Sequence, residues 1–254
     1  HTMIYGGNNY AIANLLLLRP GVYHHYKTNG VLESQFNFDR GSNLKLTLDP
    51  ENQRFTLVAN QTKIPASFLL HEVFGVGALE AKRFIPETVW ASDLSSASGK
   101  EERLLSSFYE SVVPAKTRRQ IGNADMATKK NLIRESLQAS ITNPDTTQIT
   151  LGKPFTSFQP EMILRSMGEL IKVHRGERPE DNRDSLMFKR VNNLPDFIAR
   201  RFKENKENEI VKTVNSKLSY QLEKGVRNDN LKIKTLLPAK PFSKVMQKFI
   251  TDST

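Results

Sequence analysis

Leu44-Lys45-Leu46-Thr47-Leu48, the connection Asp49-Pro50-Glu51-Asn52-Gln53, and then Phe55-Thr56-Leu57-Val58 decide how the first part of this chain folds. Apolar and polar side chains alternate with a period of two, which gives each run one apolar and one wet face. A half-buried antiparallel strand requires that pattern. Pro50 and its polar neighbours supply a hairpin-type connection. Working outward, Val31-Leu32-Glu33-Ser34-Gln35-Phe36-Asn37-Phe38 is a further strand-like run. Turn chemistry separates the runs at Gly6-Gly7-Asn8-Asn9, Pro20-Gly21, Asn29-Gly30 and Arg40-Gly41-Ser42-Asn43. Residues 1–60 therefore read as β structure.

From Pro65 the period turns helical. Pro65 suits a first helical position, Phe68, Leu69, Val73 and Phe74 make an apolar face, and Gly75 stops the helix. A short helix is expected over 79–84, and longer ones over about 101–112, 125–138, 160–174, 195–223 and 241–250. The small, polar stretch 91–100 reads as a linker, and the Thr-, Pro- and Gly-rich stretch 142–157 reads as loop. The expected class is α+β, a β-rich part followed by a mainly helical one.

Composition narrows the function classes. The chain has 254 residues, 38% of them apolar, so it can bury a core. Its net charge of +10 suits nucleic acid or an acidic protein as partner. It has no cysteine, which excludes disulfides and thiolate-ligated metals. No run is apolar enough for a membrane span or an export signal, so no membrane partner is expected and a cytoplasmic location is. The first residue is His1 rather than Met, so the N-terminus is read as a processing or cloning boundary.

The densest charge pattern is Glu177-Arg178-Pro179-Glu180-Asp181-Asn182-Arg183-Asp184-Ser185-Leu186-Met187-Phe188-Lys189-Arg190-Val191. Acids and bases this close form an internally paired knot at a domain junction, with arginines left for an anionic partner. Asp181 and Asp184 make poor Mg²⁺ ligands, because Arg183, Lys189 and Arg190 would neutralise them. His24-His25 has no third ligand nearby, and no phosphate loop or nucleophile elbow occurs. No catalytic and no metal-binding residue is therefore expected. Elsewhere, the 200–217 stretch reads as a solvated helix face. The 224–248 stretch carries Lys232, Lys234 and Lys240 among other bases against one acid, Asp229, and is the better nucleic-acid candidate.

Six phrases in order carry a resemblance to the second-largest (β) subunit of multisubunit DNA-directed RNA polymerases. They are Met3-Ile4-Tyr5-Gly6-Gly7 with Pro20-Gly21-Val22-Tyr23; Asp39-Arg40-Gly41-Ser42-Asn43-Leu44; Leu46-Thr47-Leu48-Asp49 with Phe55-Thr56-Leu57; Lys63-Ile64-Pro65-Ala66-Ser67-Phe68-Leu69-Leu70; the 181–190 segment; and Ala239-Lys240-Pro241-Phe242. In the fifth, Asp181, Arg183, Asp184, Lys189 and Arg190 coincide with the family pattern, while Ser185 and Met187-Phe188 replace its His and its Gly-Asn. The resemblance implies a β-rich protrusion domain with helices, 1–75 and 160–254, interrupted by a mainly helical lobe, 76–159. It also implies a non-catalytic wall of the DNA cleft. Arg183, Lys189, Arg190, Lys232, Lys234 and Lys240 would hold DNA, with Asp181 and Asp184 orienting the bases at the junction. The chain would bind no cofactor, since the family's Mg²⁺ sits on the partner β′ subunit, and alone it would be inactive.

The implied partners are the remaining β and β′ pieces, DNA and transcription factors. Some family residues are not carried over. The Gln lining the rifamycin pocket falls at Leu15, and the Arg and Trp that hold an unpaired non-template base fall at Leu18 and Asn43. Such drift resembles the split β subunits of giant bacteriophages, with this chain as an N-terminal piece; a cut fragment of the same region is the other origin. A stand-alone basic nucleic-acid-binding or protein-interaction module of the same fold is the competing class.

Overall fold

The structure, a computed structural model, describes residues 2–5, 7–11, 14–122, 124–193, 195–196, 199, 211–224 and 236. One unit, Leu18–Lys189, holds the core. Its sheet is a five-stranded antiparallel meander: β4 (Gly21–Tyr26), β5 (Leu32–Asn37), β6 (Leu44–Asp49), β7 (Arg54–Ala59) and β8 (Thr62–Pro65). The 44–58 stretch forms the expected hairpin, with Leu46 opposite Leu57 and Asp49 opposite Arg54.

Alternation in β6 and β7 sends Leu44, Leu46, Leu48, Phe55, Leu57 and Ala59 to one face, all buried. Lys45, Thr47, Arg54, Thr56 and Val58 point to the other. Helices cover the apolar face. α8 (Pro160–His174) lies against β4, β5 and β6 through Ile163, Leu164, Met167 and Leu170, and α1 (Ala66–Phe74) lies against β7 and β8. Emptying this layer at Leu57 or Phe36 would cost about 2–5 kcal/mol.

Around that layer stand α2 (Ala78–Ala81), α3 (Glu87–Ser96), α4 (Glu101–Val112), α5 (Ala115–Ile121), α6 (Met126–Gln138) and α7 (Pro144–Leu151). The helices expected over 101–112, 125–138 and 160–174 form within a residue of those bounds. Pro65 belongs to β8 and precedes α1 rather than starting it.

Two expectations are corrected. The supposed linker 91–100 is largely the C-terminal half of α3, whose buried side includes Trp90 and Asp93. Residues 142–157 contain α7, started by Asn143, whose side chain accepts the Thr146 N–H, and by Pro144; Gly152 ends it at φ 72°. Gly21 has no Cβ for a related reason, since one there would overlap Thr146 of α7.

The other unit takes both ends of the chain, His1–Leu17 and Arg190–Thr254. It contains the hairpin β1 (Thr2–Tyr5) and β2 (Asn8–Ala11), and α9 (Val211–Glu223). Strands β3 (Leu15–Leu18) and β9 (Lys189–Asn192) form a separate two-stranded pair. One hydrophobic core runs continuously from β4 to α8, so packing shows no break at 75 or at 160. The remainder of the helix expected over 195–223, and that over 241–250, lie outside the described residues. Among the described residues no helix is long and apolar enough to cross a membrane.

Candidate functional site

The charged segment 177–189 starts where α8 ends. Gly176, at φ 72°, lets the Glu177 N–H reach back to the Lys172 carbonyl at 2.9 Å, a Schellman-type stop. The chain then runs along β4, an edge strand whose outward N–H and C=O groups would otherwise be unpaired. Asp181 closes that edge twice. Its N–H donates to the His24 carbonyl at 2.8 Å, and its Oδ2 accepts the His24 N–H at 2.8 Å. Glu180 Oε2 accepts the Tyr26 N–H at 3.0 Å.

Arg178 ties this closure to two helices. Its Nη1 donates to Glu169 Oε2 of α8 at 2.6 Å and to the Thr150 carbonyl of α7 at 2.7 Å, while its Nη2 donates to Asp181 Oδ1 at 2.6 Å. All three groups are largely withdrawn from water, so these are charge-assisted bonds in a low-dielectric setting. Burial raises the Asp181 pKa, against the His24 N–H and Arg178, which pull it down. For Glu169 burial also pushes up, but hydrogen bonds from Lys172 and Arg178 outweigh it and the pKa falls. His24, fully buried beside Arg178, is pushed down to about 3, and its Nδ1 lies 2.7 Å from Ser34 Oγ. It is a neutral core histidine.

Beyond Asp181 the segment crosses onto the polar sheet face. Arg183 Nη1 donates to Gln35 Oε1 at 2.7 Å, a neutral partner that leaves the guanidinium charge uncompensated there. Asn182 accepts the N–H groups of Asp184 and Ser185, and Ser185 caps the short 3-10 turn Leu186–Phe188. Phe188 packs edge-on against Tyr23 at 5.3 Å. Lys189 Nζ lies 3.3 Å from Asp184, whose side chain is 98% exposed. Arg19 secures the end, its N–H donating to the Phe188 carbonyl and its Nε to that of Lys189. Next to this patch Glu33, buried beneath the face, is ringed by Lys27, Lys45 and His25.

Of the residues expected to bind, Arg183 and Lys189 thus sit in one segment with Asp181 and Asp184. Arg190 follows, exposed on β9. Lys232, Lys234 and Lys240 lie outside the described residues. Asp184 pairs with Lys189, whereas Asp181 serves Arg178 and the β4 edge. The residues that sequence reasoning missed are Arg19, Glu33, Glu169 and Arg178. Only Arg178 stood inside the charged stretch; Glu169 lies eight residues before it on α8, and Arg19 and Glu33 lie far from it in sequence. Among the described residues no cluster of three or more His, Asp or Glu could hold a metal. The arrangement offers ion pairing and hydrogen bonding, with a few cations turned outward.

No curated protein matches the chain. Residues 19–192 match the family described as RNA polymerase Rpb2, domain 2, a span that nearly coincides with the core-bearing unit Leu18–Lys189. The chain belongs to the RNA polymerase Rpb2 domain 2 family, and so to a region of the second-largest polymerase subunit.

Proposed function

We propose that this chain is the N-terminal part of a β-type subunit, a non-catalytic wall of the DNA cleft that helps hold DNA while the polymerase makes RNA. The observation that carries the reading is the coincidence of the family span with one folded unit, flanked by two chain ends that group together. A domain inserted into another is the arrangement this favours, the ends forming the protrusion and Leu18–Lys189 the insertion. Family membership implies other polymerase subunits as partners. Mg²⁺ chemistry belongs to the β′ partner in this reading, and the chain itself orients DNA through Arg183, Lys189 and Arg190. Lys232, Lys234 and Lys240 are further candidates for the same role on their charge alone. The departures at Leu15, Leu18 and Asn43 favour a divergent viral polymerase, working in the host cytoplasm, with its β subunit split among polypeptides.

Affinity capture of the tagged chain from cells expressing the matching polymerase genes tests this. Stoichiometric recovery of the other large-subunit pieces is expected, and template-directed synthesis only by the assembled complex. Recovery of the chain alone, or nucleotidyl transfer by the chain with Mg²⁺, NTPs and template, contradicts the proposal.

A further inference from the structure

The polar face of the five-stranded sheet is covered at one end, where α7 reaches it through Thr146 beside Gly21, and open at the other. Over β4 and β5, Tyr23 is buried under Phe188, and Arg183 lies on Gln35. Over β6, β7 and β8, Lys45 and Lys63 are exposed and Thr47, Thr56 and Val58 are half-exposed. Strand register puts Gln35, Lys45, Val58 and Lys63 side by side in one transverse row. Arg183 caps the row at Gln35, and Lys45 and Lys63 stand two strands apart, roughly 10 Å at about 4.8 Å per strand. Lys63 has no ion-pair partner among the described residues. Lys45 has only a loose one, Glu33 at 3.7 Å, and that carboxylate is already shared with Lys27.

On this face the cations Lys27, Lys45, Arg54, Lys63 and Arg183 outnumber the acids Glu33 and Asp49, and Glu33 is buried beneath them.

We infer that this open row, Arg183–Gln35–Lys45–Val58–Lys63, docks the phosphate backbone of duplex DNA. The inference rests on the DNA-holding reading above and gives it a second surface, distinct from the junction bases Lys189 and Arg190. A flat row of long cations between small Thr and Val side chains lets a polyanion approach closely. It lacks the aromatic and apolar anchors that give a protein interface its binding energy. Tyr23, the aromatic of these strands on this face, is covered, so no platform remains for stacking unpaired bases. Hydrogen bonds to phosphate position a duplex without reading its sequence. Binding is therefore sequence-independent and falls steeply with salt.

The test is fluorescence anisotropy of the full chain with a labelled random-sequence duplex, across about 50–200 mM salt. In the Lys45→Ala/Lys63→Ala double variant the slope of log K against log salt should shrink by about 1.8, at about 0.9 for each phosphate no longer neutralised. Both side chains are exposed, and an unchanged thermal midpoint shows the variant is folded. An unchanged slope in this variant, with binding abolished instead by Lys189→Ala/Arg190→Ala, overturns the inference and leaves the DNA-holding reading standing. No salt-dependent duplex binding by the wild-type chain overturns both. Stoichiometric binding of poly-glutamate that the double variant abolishes, with the duplex slope unmoved, assigns the face to an acidic protein and also overturns the inference.

Discussion

Arg178 and Arg183 are five residues apart in one charged segment, yet their surroundings are opposite. Arg178 faces two carboxylates and a carbonyl out of water, and its charge is consumed in joining α7, α8 and the β4 edge. Arg183 meets a neutral amide on the sheet face, beside Lys45 in the next strand. Composition treats the two alike. What separates them is whether a carboxylate is within reach after folding, and that decides which cation is scaffold and which is available to an anion. Asp93 extends the contrast among acids. It is buried with only the Phe55 N–H, Ser67 and its neighbours to hold it, and burial lifts its pKa to about 6.

The contrast breaks most visibly at Arg178. Arg178→Ala leaves Asp181 buried without its cation and Glu169 with Lys172 alone, and should cost about 3–5 kcal/mol in urea unfolding. Arg183→Ala should cost under about 1 kcal/mol. Equal losses would erase the distinction.

Next in size is an acid limb from His24. Its folded pKa, about 3, lies below the ordinary 6.5, so the unfolded chain takes up a proton that the folded one refuses. This contribution is fully present above pH 6.5 and is lost as pH falls through about 3, on the order of a few kcal/mol. Asp93 works in the other direction. Its raised pKa contributes stability present below 3.8 and lost as pH rises through about 6. Stability-versus-pH curves should therefore lose their acid slope in His24→Asn and gain a steeper one in Asp93→Asn.

Asp181→Asn keeps the shape but removes the charge facing Arg178, and about 1–3 kcal/mol is expected in the same unfolding assay. Asp184→Ala sharpens the comparison from its weak end. The Lys189 pair is solvent-exposed on the acid's side, so the change should stay within about 1 kcal/mol.

Much of this fold was legible where one face is wet. The β6–β7 hairpin and helices α1, α4, α6 and α8 each show a clean period because each has an apolar and a solvated side. α3 was hidden by its Ser-rich second half, which buries Asp93, followed by buried Ala97 at its end, in place of large apolar residues. α7 was hidden by threonines, three of them buried, with Thr147 and Thr150 satisfying their hydroxyls on carbonyls four residues back. Asn143, Pro144 and Gly152 were nonetheless its start and stop signals.

The paired character of 177–189 was readable from charge density, and Asp184 with Lys189 from proximity. The partners Thr150, Glu169, His24 and Gln35 were not, since only the folded sheet and helices bring them near. Arg19 likewise looked like part of a bare Pro-Gly turn until Phe188 and Lys189 came beside it.

The central claim is that the buried half of the charged segment is a clamp that closes the β4 edge. Native-state hydrogen exchange at the His24 amide tests it most directly. The account predicts protection matching the interior strands β5 and β6, abolished in Asp181→Ala while those strands stay protected. Fast exchange at His24 in the wild-type chain, or protection that survives Asp181→Ala, would contradict it.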